Sequence, residues 1–222
     1  MKLLTLDIET TGLNHNGNKI IEIGCIEIKD RKITNNIFHT YINPEITINE
    51  EIIKITGIKN EFLKNKPKFK EIVDDFLKFI FEYKDIIIHN ADFDINFINT
   101  ELSRINHNIK NIKEHFNIID TLKIARKKHP GKKNNLNALC NRYSIKTEIR
   151  EYHGALIDAK LLAEVFIKMT SSQTKIKITS KEITKKEEIN EKIDIKVIKA
   201  NKLEIIKHNK YMEQLKKISD KK

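Results

Sequence analysis

Leu3-Leu4-Thr5-Leu6-Asp7-Ile8-Glu9-Thr10-Thr11-Gly12 is a short apolar run that ends on two acids. Such a run near the start of a chain predicts a buried strand. Asp7 and Glu9 are two apart, so both project to the same face of that strand. Paired acids repel and are costly unless a proton or cation neutralises them. A hard divalent ion with oxygen ligands does so. An acid pair alone also suits a solvent-exposed strand edge. Thr10, Thr11 and Gly12 then leave the strand, where their backbone can approach a substrate.

Two more stretches supply chemistry at the edges of apolar segments. His89-Asn90-Ala91-Asp92-Phe93-Asp94 follows a predicted buried strand over 85–88 and opens a helix over 93–105. Asp94 falls on the first turn, with Ile98 one turn later on the same side. It therefore belongs at the core-facing rim, where an acid also suits the helix dipole. Asp92 is accounted for as an N-terminal cap and His89 as a core histidine. In His153-Gly154-Ala155-Leu156-Ile157-Asp158, the acid lies in the first half of a helix over 155–169. His153, placed just before Gly154, can sit on a mobile loop above that acid. An imidazole with an unperturbed pKa near 6.5 can take a proton from water at neutral pH. By itself it reads equally as a surface histidine. Together the three stretches offer four carboxylates and one histidine. A two-metal phosphodiester-cleaving site requires that set.

The rest of the chain frames these motifs. Residues 20–28 and 32–42 are β-rich, joined by a turn at Lys29-Asp30-Arg31. Such short connections make the first three strands antiparallel. A short helix is expected over 47–53, a longer one over 69–83 and a fifth strand over 116–119. Two helices follow, one after Asp120 and one over 136–143, separated by Pro130-Gly131. The order predicts an α/β fold with a mixed five-stranded sheet flanked by helices. After Ser171 the texture changes to Lys, Glu and Ile. We expect one domain over 1–174, a flexible charged linker over 175–192 and a tail over 193–222. Within the tail, 193–198 suggests a short strand. A helix over 202–217 would gather Ile205, His208, Tyr211, Met212 and Leu215 on one face.

The chain has 222 residues and a formal net charge of +11. That charge fits a polyanionic partner, and it fits equally a codon bias that spreads Lys and Asn over solvent faces. Cys25 and Cys140 lack zinc-ligand spacing and read as buried thiols, which makes a reducing cytoplasm the expected location. No apolar run approaches a membrane span and no signal peptide is expected.

The three motifs, in this order, resemble those of the DEDD 3′–5′ exonuclease superfamily, in its histidine-bearing branch. The likeness is closest to the proofreading subunits of bacterial replicative DNA polymerases. Ile20-Ile21-Glu22-Ile23-Gly24, Thr56-Gly57-Ile58, Pro130-Gly131-Lys132 and Leu136-Asn137-Ala138-Leu139-Cys140 carry it further. It spans roughly residues 1–173 and implies a ribonuclease H-like fold. It makes Asp7, Glu9, Asp94 and Asp158 ligands of two Mg²⁺ or Mn²⁺ ions and His153 the general base. It implies that Glu51 and Thr56 contact the terminal nucleotide, as Asp7, Glu9 and Asp158 do. Thr56 stands where relatives often carry histidine. The implied reaction removes mismatched 3′-terminal nucleotides as nucleoside 5′-monophosphates. Gln173-Thr174-Lys175-Ile176-Lys177-Ile178 resembles a sliding-clamp motif with Ile178 in place of its final aromatic, so weak clamp contact is expected. The tail resembles a segment that binds the polymerase alpha subunit. A free-standing 3′–5′ exonuclease acting on RNA or in DNA repair is the competing enzyme, and it has no need of a tethered docking helix. A non-catalytic assembly subunit would have no need of the intact acids.

Overall fold

The computed structural model describes residues 2–147, 152–171 and 201–219, with side chains in the last stretch as far as 213. They belong to two units, one within Met1–Ile176 and the other within Lys177–Lys222.

The first unit is built on β1 (Lys2–Thr10), β2 (Ile20–Lys29), β3 (Lys32–Tyr41), β4 (Asp85–Ile88) and β5 (Asn117–Asp120). Their order across the sheet is β3-β2-β1-β4-β5. The first three strands are antiparallel, while β4 and β5 run parallel to β1. The mixed five-stranded sheet is the one expected. The two-residue turn Asp30-Arg31 has positive φ at both positions, 49° and 62°. That twist matches the strands it joins.

Alternation along β1 divides the core. Leu4, Leu6 and Ile8 pack with Ile72, Val73 and Phe76 of α3 (Phe69–Ile80) and Ile95, Ile98 and Leu102 of α4 (Ala91–Arg104). Leu3 packs on the opposite face with Leu162, Ala163 and Phe166 of α7 (Ala155–Thr170). Two stripes of α7 are buried. Leu161, Val165 and Met169 meet Leu139 and Cys140 of α6 (Leu136–Arg142) and Ala125 of α5 (Thr121–Lys128). Both cysteines are buried.

Several boundaries differ from expectation, for local reasons. The first helix, α1 (Glu50–Thr56), begins at residue 50 because the Asn49 side chain accepts from the Ile52 N–H. It runs until Gly57 takes a left-handed φ of 72°. A further short helix, α2 (Asn60–Leu63), and a 3-10 turn at Ile112–Glu114 were not expected. Asp92 is not a cap. Asn90 holds the cap position of α4 with a left-handed φ of 65°, and Asp92 instead pairs with Lys113 at 2.7 Å. His89 is half-buried at the end of β4 rather than in the core, its Nδ1 lying 2.9 Å from the Thr121 hydroxyl.

In the second unit, α8 (Lys202–Ser219) is a helix. Leu203, Ile205, Ile206, Tyr211 and Met212 are exposed on it. The strand expected over 193–198, the clamp-like stretch over 173–178 and the Leu215 side chain lie outside the described residues. No helix among the described residues is long and apolar enough to cross a membrane.

Candidate active site

The parallel strands β1, β4 and β5 end along one edge of the sheet, and the predicted acids gather at the β1 end of it. Asp7 and Glu9 lie on the α7 side of β1, opposite Gly24 and Glu22 of β2. From beyond the strand end, α4 brings Asp94, which is only 3% exposed. Its carboxylate accepts hydrogen bonds from the backbone N–H groups of Ile8 and of Asp94 itself. Asp158, 5% exposed, comes from the first turn of α7. Three segments far apart in sequence thus supply one cluster.

The cluster is electrostatically expensive. Burial pushes the Asp7 carboxyl well above the usual carboxylate range, and the charges of Asp94, Asp158, Glu9 and Glu22 push the same way. Burial also raises Asp94, with Asp120 adding to it against the two backbone hydrogen bonds. Acids in such surroundings call for protons or a cation. Glu9, His153 and Asp158 each offer one ligand atom, all within 4.8 Å of one another. Carboxylate oxygens that are packed together and hold their protons tightly suit a hard divalent cation. The residues present therefore fit the metal that the motifs imply.

His153 stands over this cluster, with Nδ1 3.3 Å from an Asp158 oxygen and the side chain 44% exposed. Its backbone N–H donates to the Ile55 carbonyl at 2.9 Å, at the end of α1. The preceding Tyr152 ring lies on Gly57, where a β-carbon would meet it at 2.9 Å. The C-terminus of α1 is thus the seat of the histidine segment. Buried Thr56 donates its hydroxyl to the Ile52 carbonyl. It shares an open cleft of about 440 Å³ with Tyr152, His153, Glu22, His39 and Tyr41. Glu51 lies exposed on the first turn of α1, outside the lining of that cleft.

Three supporting residues were not singled out for a role from the sequence. At Gly24 a β-carbon would stand 2.3 Å from the Leu156 amide nitrogen, so only glycine lets the first turn of α7 reach the sheet. Buried Glu22, opposite Glu9, holds His39 Nε2 at 2.7 Å through one oxygen. Its other oxygen has no hydrogen-bond partner among the described residues. An acid between Ile21 and Ile23 in an apolar strand was the available signal. Arg104, held at 2.6 Å by buried Glu101, donates to the carbonyls of His15, Asn16 and Asn18. It fastens the loop after β1, and no local pattern announces it.

The exonuclease family model matches residues 4–166. The DNA polymerase III subunit epsilon of Buchnera aphidicola subsp. Schizaphis graminum is 46% identical, covering 97% of each chain. That of Escherichia coli strain K12 is 40% identical, over 91% of this chain and 85% of the relative. Among solved structures, exonuclease X in complex with 5′ overhanging duplex DNA has a TM-score of 0.61 at 24% identity, covering 78% of this chain and 94% of the other. The nuclease domain of 3′hExo, a DEDDh family member bound to rAMP, reaches 0.65 at 16% identity, covering 76% and 91%. At such identities these two structures bear on the fold alone.

Proposed function

The chain belongs to the DNA polymerase III epsilon-subunit family and carries its exonuclease domain, and we propose that it excises mismatched 3′-terminal nucleotides for a replicative polymerase. The observation that carries this reading is the meeting of Asp7, Glu9, Asp94 and Asp158 beneath His153.

Each group has a task in that reaction. The four carboxylates hold a pair of divalent cations, Mg²⁺ or Mn²⁺. When bound, that pair supplies positive charge and Lewis acidity at the scissile phosphate. His153 takes the proton of the attacking water through its imidazole. The water oxygen bonds to phosphorus, the bond from phosphorus to the 3′ oxygen breaks, and a nucleoside 5′-monophosphate leaves. Thr56 and Glu51 contact the terminal nucleotide from α1, alongside Asp7, Glu9 and Asp158. A mismatched end is preferred because it unpairs at lower cost than a paired one.

Residues 1–174 are the catalytic domain, 175–192 a linker and 193–222 a tail that binds the polymerase alpha subunit. The exposed apolar side chains of α8 support that role. A weak sliding-clamp contact through residues 173–178 accompanies it. With replication goes a cytoplasmic location.

The test is a primer–template pair ending in a mismatch, with Mg²⁺, with Mn²⁺ and with chelator. Nucleoside 5′-monophosphates should leave the 3′ end, faster than from a paired primer and only with metal. Release from the 5′ end, or full release in chelator, would overturn the proposal.

A further inference from the structure

A second cleft lies on the same sheet edge as the carboxylates. It encloses about 710 Å³ and begins at His89 and Asn90, where β4 ends. Its far wall is the segment from Pro130 to Asn135, and Arg126 of α5 stands at its rim. Parallel β1, β4 and β5 all run toward this edge. Two strand spacings, roughly 10 Å, separate the end of β5 from that of β1. A nucleic-acid strand whose last phosphate sits at Asp7 can therefore cross this cleft within a few nucleotides.

The lining suits an anion. Among the described residues, Arg126 and Lys132 are the cations that line it, His89, Asn90, Asn134 and Asn135 supply further polar groups, and no carboxylate does. Neither the Arg126 nor the Lys132 side chain takes a hydrogen bond or ion pair among the described residues. The neighbouring acid, Asp120, accepts from the backbone N–H groups of Asn90, Leu122 and Lys123 through one oxygen, and its other oxygen lies 3.6 Å from the Lys123 ammonium. The wall is built rather than loose. Asn134, 8% exposed, donates to the carbonyls of His129 and Lys132 and accepts from Arg142. Gly131 makes the turn with φ of 69°. Burial keeps the His89 imidazole below its ordinary value; the charge of Asp120 and the Asn134 backbone oppose this, and the charge of Arg126 adds to it.

We propose that this cleft seats an upstream phosphate of the single-stranded substrate between Arg126 and Lys132, setting affinity for the strand apart from the chemical step. The inference rests on the nuclease reading above.

Two measurements on the full chain separate the two. One is binding of a labelled single-stranded oligonucleotide across a salt series. The other is hydrolysis of the p-nitrophenyl ester of thymidine 5′-monophosphate, which has no upstream phosphate. For Arg126→Ala/Lys132→Ala, oligonucleotide binding should weaken several-fold. The slope of log affinity against log salt should shrink by about 0.7 for one lost phosphate contact. Hydrolysis of the small ester should stay at the wild-type rate. Arg126→Glu/Lys132→Glu should weaken binding further. Wild-type affinity and salt slope in both variants would overturn the proposal, as would an equal loss on the small ester. If the wild-type protein fails on the small ester, the nuclease reading falls, while the binding comparison still decides the cleft.

Discussion

Gly24 and Leu156 are in backbone contact. A β-carbon on Gly24 would lie 2.3 Å from the Leu156 amide nitrogen and 2.4 Å from the Ala155 carbonyl carbon. Gly24 faces Asp7 across the sheet, and Leu156 is two residues before Asp158. This close approach sets how far α7 can bring its acid toward β1.

Gly24→Ala should therefore push the first turn of α7 away from the sheet. The neighbour is backbone and cannot rotate aside, so overpacking should cost at least about 1–3 kcal/mol. Thermal unfolding should fall by roughly 2–4 °C per kcal/mol in a domain of this size. Nucleotide release should drop more than stability does, because His153 and Asp158 both move. A variant with wild-type melting and wild-type rates would show that the contact positions nothing.

Asp7→Asn should abolish excision yet stabilise the metal-free protein. Asp7 and Asp94 hold protons more tightly in the folded state than in the unfolded one. Their contribution is full below the unfolded carboxylate value near 4 and is lost as pH rises through the raised folded values. Above that window the asparagine removes repulsion, so its metal-free melting temperature should exceed that of the wild type by a few degrees. Mg²⁺ should stabilise the wild type more than the variant. Melting curves in chelator and in Mg²⁺, near pH 5 and near pH 8, decide the matter. Coincident curves would remove the like-charge account of the site.

His153→Ala should slow the chemical step by the ~10²–10⁴-fold typical of a lost general base. His153→Glu should recover part of that, since a carboxylate also accepts a proton. The rate–pH profile is the decisive readout. An acidic limb unchanged in His153→Ala would assign the base to another group.

Truncation after Thr174 should leave hydrolysis of single-stranded DNA nearly unchanged and remove retention by the polymerase alpha subunit. A tether raises the local concentration of the nuclease at the primer end, up to the millimolar range for a short flexible linker. Tyr211 and Met212, exposed on α8, should be among the contacts. Equal retention of the full-length and truncated chains in a pull-down would move the docking surface to the nuclease domain.

Short-range pattern was enough to read much of this protein from its sequence. Alternation puts Asp7 and Glu9 on one face, and the 3.6-residue period lays out α3, α4 and α7. The motifs around Asp94 and His153 stand out because polar groups interrupt apolar runs. Tertiary structure alone decided what holds those groups in place. The contact of Gly24 with α7, the grip of Arg104 on the carbonyls of residues 15, 16 and 18, and the Glu22–His39 pair all join residues distant in the chain. So does the seating of Tyr152 on Gly57. A periodicity reports which face of an element is apolar, but not which backbone will press against it. The cleft at Arg126 and Lys132 exists only because β4, α5 and the Asn134-fastened loop end side by side, which parallel strand order determines and local sequence does not.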